Sequence, residues 1–166
     1  MSRKTDFYPP KHIQDLLERP DRRGVYVIFE GGQALNAGTN HLSLITDDAL
    51  VFNEPWCKVQ HLIFDADMDT MNLAWADPSR PAMSFKKPET QWLPHFGEMS
   101  RERLAHTQVA TVIDTLDDGT QLRATVRRDI NGVLFSEVIA LGVITPECEQ
   151  RAATLENQVR EMAGLD

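Results

Sequence analysis

The segment His61-Leu62-Ile63-Phe64-Asp65-Ala66-Asp67-Met68-Asp69-Thr70 runs an apolar strand pattern directly into D-x-D-x-D. On an extended backbone alternate side chains share a face, so Asp65, Asp67 and Asp69 would project together, with His61 on the same side. Three carboxylates in register repel one another unless a cation or an Arg or Lys stands between them. An all-oxygen set of this kind suits Mg²⁺, Mn²⁺ or Ca²⁺. The plain alternative is an acidic turn that closes a strand and faces solvent.

Spacing narrows the chemistry. A calcium loop of the EF-hand type needs Gly at its sixth place and Glu at its twelfth; counting from Asp65, those places hold Thr70 and Ala76. Phe64-Asp65-Ala66-Asp67 resembles the strand-then-D-x-D-x-T opening of haloacid-dehalogenase-like phosphatases. Asp69 stands where that family has Thr, however, and the antiparallel patterns elsewhere do not suit its parallel core. His41-Leu42-Ser43-Leu44 is similar to half of the H-x-[ST]-x pair of two-histidine phosphoesterases, whose mechanism needs a second His to supply acid against base. His106-Thr107-Gln108 lacks the hydroxyl at the matching place. Neither assignment is made. Cys57 and His61 lie four apart, which on a strand separates them by more than about 10 Å, so a nucleophile pair would need a turn or helix there; otherwise Cys57 is a buried, inert thiol. Cys148 is distant and no C-x₂-C occurs, so a zinc site is not expected. No phosphate-cradling glycine loop or nucleophile elbow is present.

Two further groups could bind rather than react. Arg123, Arg127 and Arg128 decorate the polar side or end of one strand and could grip a carboxylate, a phosphate or an acidic partner, or pair with nearby acids on a solvated face. Trp56, Trp75, Trp92, His95 and Phe96 cluster around proline-rich connectors, where they either form a binding surface or cap the ends of the core.

The elements that must position these residues follow from periodicity. The spacing predicts an extended arm over 1–10, then a short helix from Lys11 to Arg19 that sets Ile13, Leu16 and Leu17 on one face and stops at Pro20. Asp21-Arg22-Arg23-Gly24 reads as a turn. Val25–Phe29, His41–Thr46, Ala49–Phe52 and Val59–Phe64 read as strands, with Asp47-Asp48 a turn. Asn72–Trp75 and Ala82–Phe85 form a further pair. Lys86–Gly97 is a connector and the place for any subdomain boundary, followed by a short helix capped by Ser100. A three-stranded antiparallel meander spans Thr107–Leu116, Thr120–Arg128 and Val133–Val143. Its second turn, Asn131-Gly132, suits type I′, and its third strand has the apolar pattern of a central or doubly covered strand. A helix from Pro146 to Ala163 ends the chain, with Thr145 as N-cap, Gly164 just past its end, and Cys148, Ala152, Leu155, Val159 and Met162 in one stripe. The expected fold is therefore α+β: mainly antiparallel sheet including the C-terminal meander, a short N-terminal helix and a long C-terminal helix, in a single domain over 11–166.

The 166 residues carry a formal net charge of −8, unevenly spread. From Asp47 to Asp77 seven acids, Asp47 and Asp48 among them, face one base, Lys58. An acidic chain is not expected to bind nucleic acid in general or anionic membranes. With no apolar secretory segment at its start and two well-separated cysteines, it reads as cytoplasmic with reduced thiols.

The function the sequence favours is a non-enzymatic protein-interaction or inhibitory accessory protein, with no cofactor. It would act through an acidic surface (Asp47, Asp48, Asp65, Asp67, Asp69), aromatic loops (Trp56, Trp92) and Arg123 with Arg127. The partner is another protein with a basic surface. The C-terminal stripe packs within the chain, or on a twin helix in a homodimer. Two alternatives stand beside this reading. One is a small Mg²⁺- or Mn²⁺-dependent hydrolase or phosphoesterase using Asp65, Asp67 and Asp69, with His61 or His41 as base. The other is a nucleic-acid-mimicking inhibitor of a basic partner.

Overall fold

The computed structural model describes residues 7–165 and divides into two compact units, Met1–Leu104 and Ala105–Asp166. The architecture is α+β with three antiparallel sheets. Of the N-terminal arm, Met1–Asp6 lie outside the described residues. Among those described, no helix is long and apolar enough to cross a membrane.

The first unit opens with α1 (Lys11–Gln14), much shorter than the helix expected to Arg19. After Gln14 the backbone tightens into turns, with Leu16 N–H donating to Ile13 O and Leu17 N–H to Gln14 O, and Arg19–Asp21 forms a single 3₁₀ turn. Ile13 and Leu17 are buried against Ile45, whereas Leu16 is 41% exposed and does not share their face.

Strands β1 (Val25–Ile28), β2 (Gln33–Ala37), β3 (His41–Thr46) and β4 (Ala49–Pro55) form one sheet in sequence order. Asp47 and Asp48 both have positive φ, at 51° and 61°, and join β3 to β4 in a two-residue turn between the paired Thr46 and Ala49. That is the requirement of a type I′ hairpin. β5 (Val59–Asp65), β6 (Thr70–Trp75) and β7 (Met83–Lys86) form the second sheet. Strict alternation buries Met71, Leu73 and Trp75 of β6 on one face. A single apolar core joins these residues to Val25, Val27, Leu35, Leu42, Leu44 and Phe85.

The connector expected over 86–97 is partly helical: α2 runs from Leu93 to Thr107. Ser100 is therefore inside a helix and buried, not its cap. Phe96, from the same helix, is fully buried in the first unit's core.

The second unit is the meander β8 (Gln108–Thr115), β9 (Gln121–Arg128) and β10 (Leu134–Leu141), packed on α3 (Pro146–Met162). The spatial order is β10-β9-β8, so β9 is central and β10 an edge, the reverse of the expectation from the apolar pattern. β10 is half-exposed along most of its length, so its apolar residues do not report burial on both faces. The β9–β10 turn is not type I′ either. Gly132 has φ of 81° but Asn131 is not among the positive-φ residues; Asp129 organises the loop by accepting from Asn131 N–H and Val133 N–H, both at 2.9 Å. α3 follows its sequence signals closely. Thr145 Oγ1 accepts from Cys148 N–H at 3.2 Å, and Gly164, at φ 75°, lets Leu165 N–H reach Arg160 O and its own N–H reach Glu161 O. This is the Schellman arrangement that satisfies the last carbonyls of a helix. Cys148, Leu155 and Val159 are buried on Leu122, Ala124 and Val126 of β9, while Met162 is 61% exposed.

Candidate functional site

Among the described residues, one group of metal-capable side chains converges: Glu18, Asp21 and His41, with ligand atoms within 4.8 Å of one another. Its geometry is already committed. Asp21 is fully buried; its Oδ2 lies 2.6 Å from His41 Nδ1, and its Oδ1 accepts from Asn40 N–H at 2.8 Å and His41 N–H at 3.1 Å. Its backbone oxygen accepts from Asn36 Nδ2 at 2.9 Å. A buried carboxylate requires such donors, because an unpaired one costs several kcal/mol or changes protonation. Ser43, two residues from His41, donates to Asn53 Oδ1 at 2.6 Å and not to the imidazole, so no hydroxyl nucleophile is primed here. The cluster pins the Arg19–Asp21 turn to the β2–β3 hairpin.

The aspartates of D-x-D-x-D do not converge in this way. The turn between β5 and β6 is closed by Asp65, whose Oδ1 accepts from Asp67 N–H at 3.0 Å and Met68 N–H at 3.2 Å. Asp69 takes φ of 50° to complete the turn. Asp67 and Asp69 are exposed and make no ion pair among the described residues, and Met68 between them is 70% exposed. His61, paired across to Ala74, is exposed on β5.

Beside that turn lies an open apolar groove of about 490 Å³. One wall comes from β5 and β6 through Leu62, Phe64 and Met71; the other comes from α2 through Leu93, Phe96 and Ser100. Phe64 pairs with Met71, one register step before Asp65 pairs with Thr70, so the groove's strand wall ends at the acidic turn. Ser100 is 1% exposed, and its Oγ has no hydrogen-bond partner among the described residues. Gly97, also in the lining, has nothing within 4 Å of where a Cβ would stand, which keeps the helix wall open. Arg101 lines the helix side, its Nε donating to Gly97 O at 3.3 Å. Mostly apolar walls with a few polar groups are the usual make-up of a binding pocket.

The other candidates settle in different places. Trp56 is buried and donates from Nε1 to Gly38 O at 2.9 Å; Trp75 is buried under the Arg80 guanidinium, 3.5 Å above its ring. Trp92 and His95 pack edge-on against Phe7. Trp56 and Trp75 belong to the first unit's core, and Trp92 packs partly buried against it. Asp47 and Asp48 are exposed, Asp48 lying 3.1 Å from His12 Nε2. Arg127 is fully buried and pairs through Nε with Glu137 at 2.5 Å; burial and the nearby Arg127 push the pKa of Arg123 down, against the pull of Glu137. Arg128 is held by His106 O at 2.9 Å. Cys57 and Cys148 are both buried, and neither is in a disulfide.

Sequence reasoning missed Asp21 and the groove. Asp21 was legible only as a turn residue, although an Asp between Pro20 and two arginines, ahead of a Gly, is a strong hint of a fixed loop. The groove had no local signal, since its two walls are about 30 residues apart in sequence. No protein-family profile matches this chain, and comparison with curated proteins finds no match.

Proposed function

We infer that the protein is a non-enzymatic binding protein whose groove between β5–β6 and α2 takes an apolar side chain from a basic segment of a partner protein. The observation that carries this reading is the join between groove and acidic turn. Phe64 is 36% exposed at the groove's end and Ile63 is 56% exposed beside it, directly ahead of Asp65, Asp67 and Asp69. Exposed apolar surface rimmed by polar groups marks a protein-interaction site. Burying the apolar anchor supplies affinity, and the aspartates select cations on the segment next to it. Those cations fall on the turn side, away from Arg101. The unpaired Ser100 hydroxyl offers a hydrogen bond to whatever enters.

The experiment is an amide-shift titration with a synthetic peptide carrying Leu and Phe anchors followed by three lysines, against a twin carrying three glutamates. The lysine peptide is expected to shift Leu62, Phe64, Met71, Phe96 and Ser100, less so at high salt. Gly97→Leu fills the groove at a helical position with room for a Cβ, so it should abolish those shifts while keeping or raising stability, since Gly costs a helix roughly 0.5–1 kcal/mol against a residue with a side chain. Equal binding of the glutamate twin, or unchanged binding by Gly97→Leu, overturns the reading. Movement of the Asp65–Asp69 amides by Mg²⁺ or Mn²⁺ alone would favour the metal-dependent alternative instead.

A further inference from the structure

A second cleft in the first unit has the opposite character. It measures about 600 Å³ and is lined by Gln14, Arg19, Pro20, Arg22, Arg23 and Thr39. No acidic residue lines it, in a chain whose net charge is −8. Three of the chain's 17 basic residues stand here within five positions. Among the described residues, no carboxylate lies within 4.0 Å of Arg19, Arg22 or Arg23. Glu18, the acid next in sequence, reaches towards the imidazole, its Oε2 4.0 Å from His41 Nδ1.

Like charges held this close repel one another, so the fold must hold them. The device is Asp21, in the middle of Arg19-Pro20-Asp21-Arg22-Arg23. Its carboxylate and backbone oxygen anchor the turn to Asn36, Asn40 and His41, and its backbone oxygen also accepts from Gly24 N–H at 3.2 Å. Pro20 fixes a further backbone angle. Arg22 is oriented by its Nε, which donates to Leu17 O at 3.0 Å and leaves the terminal guanidinium nitrogens for another acceptor. Gly38 and Gly24 let the strands come close enough for this anchoring, since a Cβ on Gly38 would sit 2.4 Å from Asp21 Oδ1 and one on Gly24 2.5 Å from Ala37 O.

We propose that this cleft binds a phosphate group on a small molecule. Guanidinium groups match the oxygens of a phosphate in paired hydrogen bonds, and the Thr39 hydroxyl adds a neutral donor, as does the second N–H of the Gln14 amide, whose Nε2 also donates to Pro9 O at 2.8 Å. The volume exceeds that of free phosphate and suits a phosphorylated metabolite-sized ligand. A long polyanion is disfavoured by the net negative charge of the rest of the chain. This site is separate from the groove and does not depend on the function inferred for it.

The test follows amide shifts of the full chain on adding inorganic phosphate, pyrophosphate and ADP, with citrate and a single-stranded oligonucleotide as comparisons at constant ionic strength. Phosphate-bearing ligands are expected to move Arg19–Gly24 and Thr39–Asn40, and ADP more strongly than free phosphate if the rest of the cleft is used. Arg19→Ala with Arg23→Ala should weaken binding about tenfold or more while leaving the melting temperature near that of the parent. Arg→Lys at both positions keeps the charge and should recover only part of the affinity. No shift in these segments, the same shift from citrate, tighter binding of the oligonucleotide, or full affinity in the double alanine variant each overturn the proposal.

Discussion

Asp21 Oδ2 and His41 Nδ1 stand 2.6 Å apart, with Asp21 fully buried and His41 only 7% exposed. The pair closes the 3₁₀ turn at Arg19–Asp21 onto the start of β3. Asp21→Ala strips His41 and two backbone N–H groups of their acceptor at once. It is expected to cost about 3 kcal/mol, read as a fall in the urea midpoint, because removing one member of a buried pair leaves the other unsatisfied. Asp21→Asn keeps one acceptor oxygen for the backbone and should cost less.

Gly38 touches the same carboxylate. A methyl there would meet Asp21 Oδ1 at 2.4 Å and Cβ at 2.7 Å, so Gly38→Ala is expected to destabilise by about 1–3 kcal/mol through overpacking. The cost should shrink when Asp21 is already Ala, since the clash disappears with the carboxylate. A double-mutant cycle measures that coupling; strict additivity would show that the two residues do not share a contact.

Asp48 sits at φ 61° in the β3–β4 turn, a conformation that carries a penalty for any residue with a Cβ. Asp48→Gly should raise stability by up to about 1 kcal/mol in thermal or urea unfolding. The exposed contact with His12 that it removes is worth little.

Tyr26 supplies a pH dependence. Burial raises its pKa above the ordinary 10.0, and the carboxylates of Asp48 and Glu89 raise it further. The folded chain therefore holds the phenol proton more tightly than the unfolded chain. That contribution to stability is fully present below pH 10 and is lost as pH rises through the folded value. Tyr26→Phe should flatten the loss of urea midpoint that sets in as pH rises above about 10, where an unperturbed tyrosine titrates. Asp48→Gly should flatten it partly. An unchanged slope in Tyr26→Phe would assign the alkaline loss to other groups.

Much of the fold is written in local pattern, and the parts that are not have identifiable causes. β1, β3, β5 and the meander announce themselves through β-branched and aromatic residues between turns, and α3 through its cap, proline and terminal glycine. β2 escaped notice because Gln33-Ala34-Leu35-Asn36-Ala37 has almost no strand propensity. It is a strand because β1 and β3 pair with it on both sides and bury it. The start of α2 was hidden behind Pro94 and Gly97, two residues that argue against helix unless the proline falls in the first turn, as it does. The role of Asp21 was invisible for a different reason. A buried, hydrogen-bonded carboxylate depends on partners 15 to 20 residues away, and no periodicity marks them. Conversely, the D-x-D-x-D spacing was conspicuous, yet its first aspartate is spent on the turn's own backbone.

The short reach of the Asp21 contacts bears on how the chain is made. Strands β1 to β4 pair only with their neighbours in sequence, and the partners of Asp21 follow it within 20 residues. Closing loops of this length costs little entropy. The first sheet and the Asp21–His41 contact within it are thus complete by Pro55, with residues 56–166 still to follow. On the ribosome, the aspartate meets its hydrogen-bond partners within its own neighbourhood and need not wait for later segments to shield it.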